Sequence, residues 1–282
     1  MIEWLTNPLT YAFMQRGLLA ALMVGVLCAV IGCYVVLRSM AFLGDAMAHA
    51  VLPGIAIAYL LSANLTVGAL IAAIVVALGI SLLTRQGAVK EDTAIGILFT
   101  AALALGVALI SSIRTYAVDL SHILFGNVLG VSQGDLWLTA GVSLLVFTVM
   151  ALSYRPFLLI SFDPVLAATL RLRVEFFRTL LLVLLALTIV VSIQTVGVGL
   201  AAAMLVTPGA TAYLLTRRLP SMMVLSGLIG AVSSVIGLYA SYYLNVASGA
   251  AVVLTATLFF LLAFLFAPQR GLVTQRLRRQ TS

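Results

Sequence analysis

The chain has 282 residues, of which 63% are hydrophobic and only 8% charged. Soluble domains carry roughly 25% charged residues, so a water-soluble core is excluded and the chain reads as a multi-pass membrane protein. The net charge of +7 does not point to nucleic acid, because the basic residues are scattered over short connections with no aromatic-interleaved face.

The start, Met1-Ile2-Glu3-Trp4, has neither a basic region nor a small-residue cleavage site, so no removed signal peptide is expected. Crossing a bilayer takes an apolar helix of about 17–25 residues. Runs of that kind cover roughly 17–37, 42–62, 65–84, 93–113, 134–153, 177–194, 197–215, 222–243 and 247–267. They do not alternate polar and apolar residues, which excludes a membrane barrel. The expected fold is all-α: a polytopic bundle of eight or nine membrane helices, one transmembrane domain over 1–282. Eight applies if 42–62 is re-entrant.

Within the first span, Cys28 and Cys33 are five residues apart and so on different helix faces, and they read as packing thiols. The second span holds Asp45 and His49, the only acidic and imidazole side chains between Arg38 and Arg85. At i, i+4 they share a helix face. Each costs several kcal/mol in hydrocarbon without a partner, so ionisable groups there are functional candidates. A carboxylate beside an imidazole suits a divalent metal. The innocent alternatives are a helix-start carboxylate for Asp45 and an interhelical hydrogen bond for His49.

Glu91 and Asp92 read as dipole caps on the fourth span. The connection 114–133 carries His122 with Asp119 and Ser121, where a solvated loop competes with a metal contact. In the connection 154–176, Asp163 and Pro164 mark the start of a short helix, with Phe162 ahead of it and Arg171, Arg173 and Arg178 after it. Such a helix either lies on anionic lipid or docks on a cytoplasmic partner. In the seventh span, Thr207-Pro208-Gly209 should kink or loosen the helix, as a hinge or as a packing accommodation.

The positive-inside rule places Arg38, Arg85, Lys90, Arg155, Arg171, Arg173, Arg178, Arg217, Arg218 and the tail 268–282 in the cytoplasm. Nine crossings satisfy all of these, with an external amino terminus and only Arg16 and Arg114 misplaced. Asp45 then falls within a turn or two of the cytoplasmic end.

An ordered set of segments resembles one family over nearly the whole chain. These are Gly44-Asp45-Ala46-Met47-Ala48-His49-Ala50-Val51-Leu52-Pro53-Gly54, Lys90-Glu91-Asp92-Thr93-Ala94-Ile95-Gly96 and Phe125-Gly126-Asn127-Val128-Leu129-Gly130. Gln194-Thr195-Val196-Gly197 and Val206-Thr207-Pro208-Gly209-Ala210-Thr211-Ala212-Tyr213 complete it. The chain resembles the permease subunits of bacterial manganese/zinc/iron ABC importers. The resemblance implies an inner-membrane permease that dimerises, sits on two ATPase copies and receives metal from an extracytoplasmic binding protein. It implies that Asp45 and His49 are the intramembrane metal pair, and that 161–172 is the coupling helix, with Phe162, Asp163, Pro164, Leu166 and Arg171 facing the ATPase. Where the family commonly has a glycine near the end of that helix, this chain has Arg171. The form Pro208-Gly209-Ala210-Thr211-Ala212-Tyr213 is closer to manganese/iron members than to zinc members.

No Gly-x-x-x-x-Gly-Lys-[Ser/Thr] loop is present, so ATP hydrolysis is expected on another polypeptide and this chain is expected to be a transport subunit, not an enzyme. No permanently bound cofactor is expected, only a transported divalent ion: manganese first, then iron or zinc. A proton-coupled secondary carrier would need inverted repeats and several intramembrane carboxylates. An ABC permease for an iron chelate or vitamin would need a wider pore without ion ligands.

Overall fold

The computed structural model describes residues 7–85, 87, 89–112 and 130–267. Asp119, Ser121, His122, Arg114, most of the 125–130 motif and the tail 268–282 lie outside the described residues. A turn at Pro8–Thr10 precedes α1, Ala12–Leu37. The second span is two helices, α2 (Leu43–Ala50) and α3 (Leu52–Leu60), followed by α4 (Leu65–Thr84) and α5 (Glu91–Ser111). Next come α6 (Gln133–Leu152), the short α7 (Tyr154–Phe162) and α8 (Pro164–Thr169). The rest is α9 (Val174–Val196), α10 (Val198–Leu215), α11 (Leu219–Leu244) and α12 (Ser248–Phe266). Among the described residues nine helical segments are long and apolar enough to cross a membrane, with α2 and α3 making one of them.

Local chemistry sets the boundaries. Asn64 starts α4 by accepting from the Thr66 and Val67 amides, and Ser132 with Asp135 forms a capping box on α6. At the end of α1 the Met40 amide bonds the Val35 carbonyl and the Ser39 amide bonds the Val36 carbonyl, with Ser39 left-handed at φ 57°. This Schellman closure turns the chain sharply into α2. Pro53 stands at the start of α3 and has no amide proton for the His49 carbonyl, which accounts for the break inside the second span.

The core forms around α1, which packs against α6, α9, α10 and α11. α3, α4 and α5 form a second group, joined to the first through α2 and α9. Hydroxyl contacts cross the helices: Ser226 donates to the Ala29 carbonyl at 2.7 Å and Ser234 to the Ala21 carbonyl at 2.9 Å. Their order shows α1 and α11 to be antiparallel. Cys28 and Cys33 are free, buried thiols, as the packing expectation held. On α4, Val67, Ile71, Val75, Leu78 and Leu82 are exposed at three- and four-residue spacing, the pattern of a face turned to lipid.

Close backbone approach replaces a hydrophobic drive between helices in lipid. A methyl group on Gly32 would collide with the Leu205 carbonyl of α10. Gly32→Ala should therefore cost about 2 kcal/mol through overpacking. Thermal unfolding of the purified variant in detergent checks this.

Candidate metal pathway and its basic end

α2 is only eight residues long and carries both members of the proposed metal pair. Its apolar residues Leu43, Ala46, Met47 and Ala50 are buried, which turns the face bearing Asp45 outward. The Asp45 side chain is 59% exposed and that of His49 29%. The His49 Nε2 and Asp45 Oδ1 atoms are 3.7 Å apart, too long for a hydrogen bond but close enough for both to address one ion. The His49 ring stands 6.0 Å from that of Phe99 on α5, which limits how far it swings.

The depth of the pair along the bundle follows from its neighbours. Phe99 lies eight residues beyond Glu91, or about 12 Å along α5. Gly44 lies against Leu205 and Ala202, in the half of α10 remote from the basic connections. His49 therefore lies about two turns from the ion-bearing start of α5, with Asp45 one turn nearer to it. The Schellman turn sends α2 back along the bundle from Val36, which is level with Gly209 of α10.

At the basic end, three helices meet in an ion cluster. Arg38 Nη2 donates to Glu91 Oε1 at 3.1 Å and to Oε2 at 3.0 Å. Arg178 Nε donates to Glu91 Oε1 at 3.2 Å. The three side chains are 11–18% exposed. Burial pulls the Arg38 guanidinium below its ordinary value, the Glu91 charge opposes that shift, and Arg178 adds to it. The sequence reading treated Glu91 as a dipole cap and the arginines as topology signals. The usable signal was one acidic and two basic residues at the same end of three different spans.

The short helix after Asp163 is present as expected. Asp163 Oδ1 accepts from the Val165 amide at 3.0 Å and the Leu166 amide at 2.9 Å. Phe162, however, does not lead into it from a loop. It ends α7, a helix the sequence reading missed, and is 63% exposed. α7 is fixed by Phe157, buried between Tyr34 of α1 at 5.7 Å and Phe177 of α9 at 6.2 Å. On α8 only Ala167 is buried, while Val165 and Leu166 are exposed.

Arg171 closes α8 in the left-handed region at φ 57°. Its amide bonds the Ala168 carbonyl while the Leu172 amide bonds the Ala167 carbonyl, another Schellman closure. That position favours glycine, since a side chain there costs about 1–2 kcal/mol. Arg171→Gly should raise stability by about 1 kcal/mol, less the added freedom of the unfolded chain. A shift in the detergent unfolding midpoint reads it.

The third group, Thr207, Pro208 and Gly209, stays helical within α10. Thr211 Oγ1 donates to the Thr207 carbonyl at 2.7 Å, and Gly209 faces the Gly32 backbone. The proline leaves the Met204 carbonyl without its intrahelical donor. Gly209 thus lets α10 pack closely on α1.

The profile of the ABC 3 transport family matches residues 10–267. The chain belongs to that family. It is 51% identical over 267 residues to the manganese transport system membrane protein MntC of Halalkalibacterium halodurans, covering 95% of this chain and 91% of that one. It is 44% identical to the manganese import system permease protein ScaB of Streptococcus parasanguinis, covering 95% of each. The solved structure of PsaBC from Streptococcus pneumoniae in complex with Fab superposes with a TM-score of 0.85 at 40% identity, covering 100% of both chains. Membership of this transport family makes the chain a transport component and a multi-pass membrane protein.

Proposed function

We propose that the chain is the membrane permease of an ATP-driven importer of divalent metal ions, with manganese as its cargo. The observation that carries this is the Asp45/His49 pair, side by side and facing outward from its own chain's core. Two chains about a two-fold axis, the commonest oligomer symmetry, bring two carboxylates and two imidazoles to one pore. Two negative charges balance a divalent ion and remove most of the penalty of holding it in a low dielectric. Oxygen and nitrogen ligands without thiolate suit manganese, and weak binding lets the ion leave again. The manganese named in the relatives favours the same cargo over iron and zinc.

The remaining parts follow. The basic end faces the bacterial cytoplasm together with the carboxyl terminus. α8, with exposed Phe162, Val165 and Leu166 near Arg171, docks on a separate ATPase, one copy per permease chain. An extracytoplasmic binding protein delivers the ion at the opposite end. Uptake of radioactive manganese into vesicles holding the permease and its ATPase tests this. ATP-dependent uptake, suppressed more by cold manganese than by iron or zinc, is expected. Uptake that survives a dead ATPase and collapses with the proton gradient would overturn it.

A further inference from the structure

The basic-end cluster has a fourth member, Glu175, in the first turn of α9. Its negative charge acts on the Arg38 guanidinium. Two buried atoms of this cluster have no hydrogen-bond partner among the described residues: Arg38 Nη1, a donor, and Glu175 Oε2, an acceptor. Unpaired buried atoms of this kind each cost free energy. Here a donor and an acceptor of opposite charge stand unused in the same cluster while Glu91 holds both arginines. Arg85 lines, with Glu175 and Thr179, an open recess of about 450 Å³ between α4 and α9.

The chain path gives the arrangement its meaning. Glu175 follows α8 directly, at the start of the helix that α8 feeds. Arg38 closes α1 and leads through the Schellman turn into α2, seven residues before Asp45. The side chain between the docking helix and the metal-bearing helix is therefore Arg38, bound from α5 by Glu91 and lying in the field of Glu175 on α9.

We infer that Arg38 exchanges between two carboxylates, Glu91 and Glu175, and that this exchange transmits movement of α8 to the Asp45/His49 pair. Resting on the ATPase-docking reading above, the inference makes Glu175 a positioning residue. In the present state Arg38 binds Glu91 and α2 is held to α5. A shift of the first turn of α9 brings Glu175 within reach of Arg38, while Arg178 remains to neutralise Glu91. In the second state Arg38 Nη1 and Glu175 Oε2 satisfy each other while Arg178 keeps Glu91, so neither arginine is stranded in either arrangement. A signal crosses between sites through an element of that kind.

Glu175→Gln removes the second carboxylate's charge and leaves all three Glu91 contacts in place. In vesicles with the ATPase, ions moved per ATP hydrolysed should fall about tenfold. The unfolding midpoint should match that of the parent, and Glu175→Asp should recover part of the coupling. A coupling ratio equal to the parent's, or a loss of uptake that tracks a lower midpoint, would overturn the inference. Parent vesicles that move no manganese would count against the proposed cargo instead. Hydrogen exchange in residues 174–178, with and without ATP plus vanadate to trap the ADP-bound ATPase, reads the switch whatever the ion. Exchange should change in the parent and not in Glu175→Gln, and the same change in both would overturn the inference.

Discussion

Asp45→Ala is expected to lower metal uptake by about a hundredfold while leaving the fold intact. Two unit charges 4 Å apart interact by about 4 kcal/mol at an effective dielectric near 20, and a metal ligand sits closer still. Desolvation of the carboxylate returns part of that, and about a hundredfold remains at roughly 1.4 kcal/mol per decade. The fold should not respond, because the Asp45 side chain is 59% exposed and lies 3.7 Å from the His49 imidazole, too far for a hydrogen bond. His49→Ala removes a neutral ligand and keeps both carboxylates of the paired chains, so its effect should be smaller. Initial uptake rates in vesicles, beside unfolding midpoints in detergent, separate transport from folding. Unchanged uptake by a well-expressed Asp45→Ala protein would remove the pair from the pathway.

Glu91→Ala should be the most destabilising single truncation at the basic end, by about 3–5 kcal/mol. Two guanidinium groups, 11% and 18% exposed, would lose the one carboxylate that both bind. Asp92 gives the internal control. It shares the first turn of α5 and is exposed, so it carries the dipole contribution without the ion pairs. Denaturant or thermal unfolding of the two variants should differ by most of the Glu91 effect. Equal losses for Glu91→Ala and Asp92→Ala would reduce Glu91 to a helix cap.

These two carboxylates mark what the sequence discloses and what it withholds. Asp45 stands out because nothing else ionisable surrounds it in a hydrocarbon run, and the i, i+4 spacing to His49 already sets a shared face. Glu91 sits at a span boundary, where acidic residues are ordinary, and its partners are 53 and 87 residues away. Only packing brings them together. α7 escaped for a related reason: its apolar stretch is short, begins with Tyr154-Arg155-Pro156 and becomes a helix because Phe157 finds Tyr34 and Phe177. The span expected at 177–194 extends back to Val174, because Glu175 is too polar for an apolar window yet remains helical. Arg171 was visible as a departure from a family glycine, and the left-handed backbone supplies the reason for that glycine.

The divided second span has a consequence for how the protein is made. Leu43–Leu60 is the least apolar of the nine candidate spans among the described residues, and it contains both Asp45 and His49. Asp45 lies in its first turn, and an aspartate within a span opposes insertion on a translocon scale. This segment is then the one least able to partition into the bilayer as it leaves the ribosome. The strongly apolar α1 before it and α4 just after Asn64 must hold it in place during synthesis, with the antiparallel Gly54–Gly68 contact as the first clasp. Ligands that serve the finished transporter thus make the nascent chain depend on its neighbours being made in order.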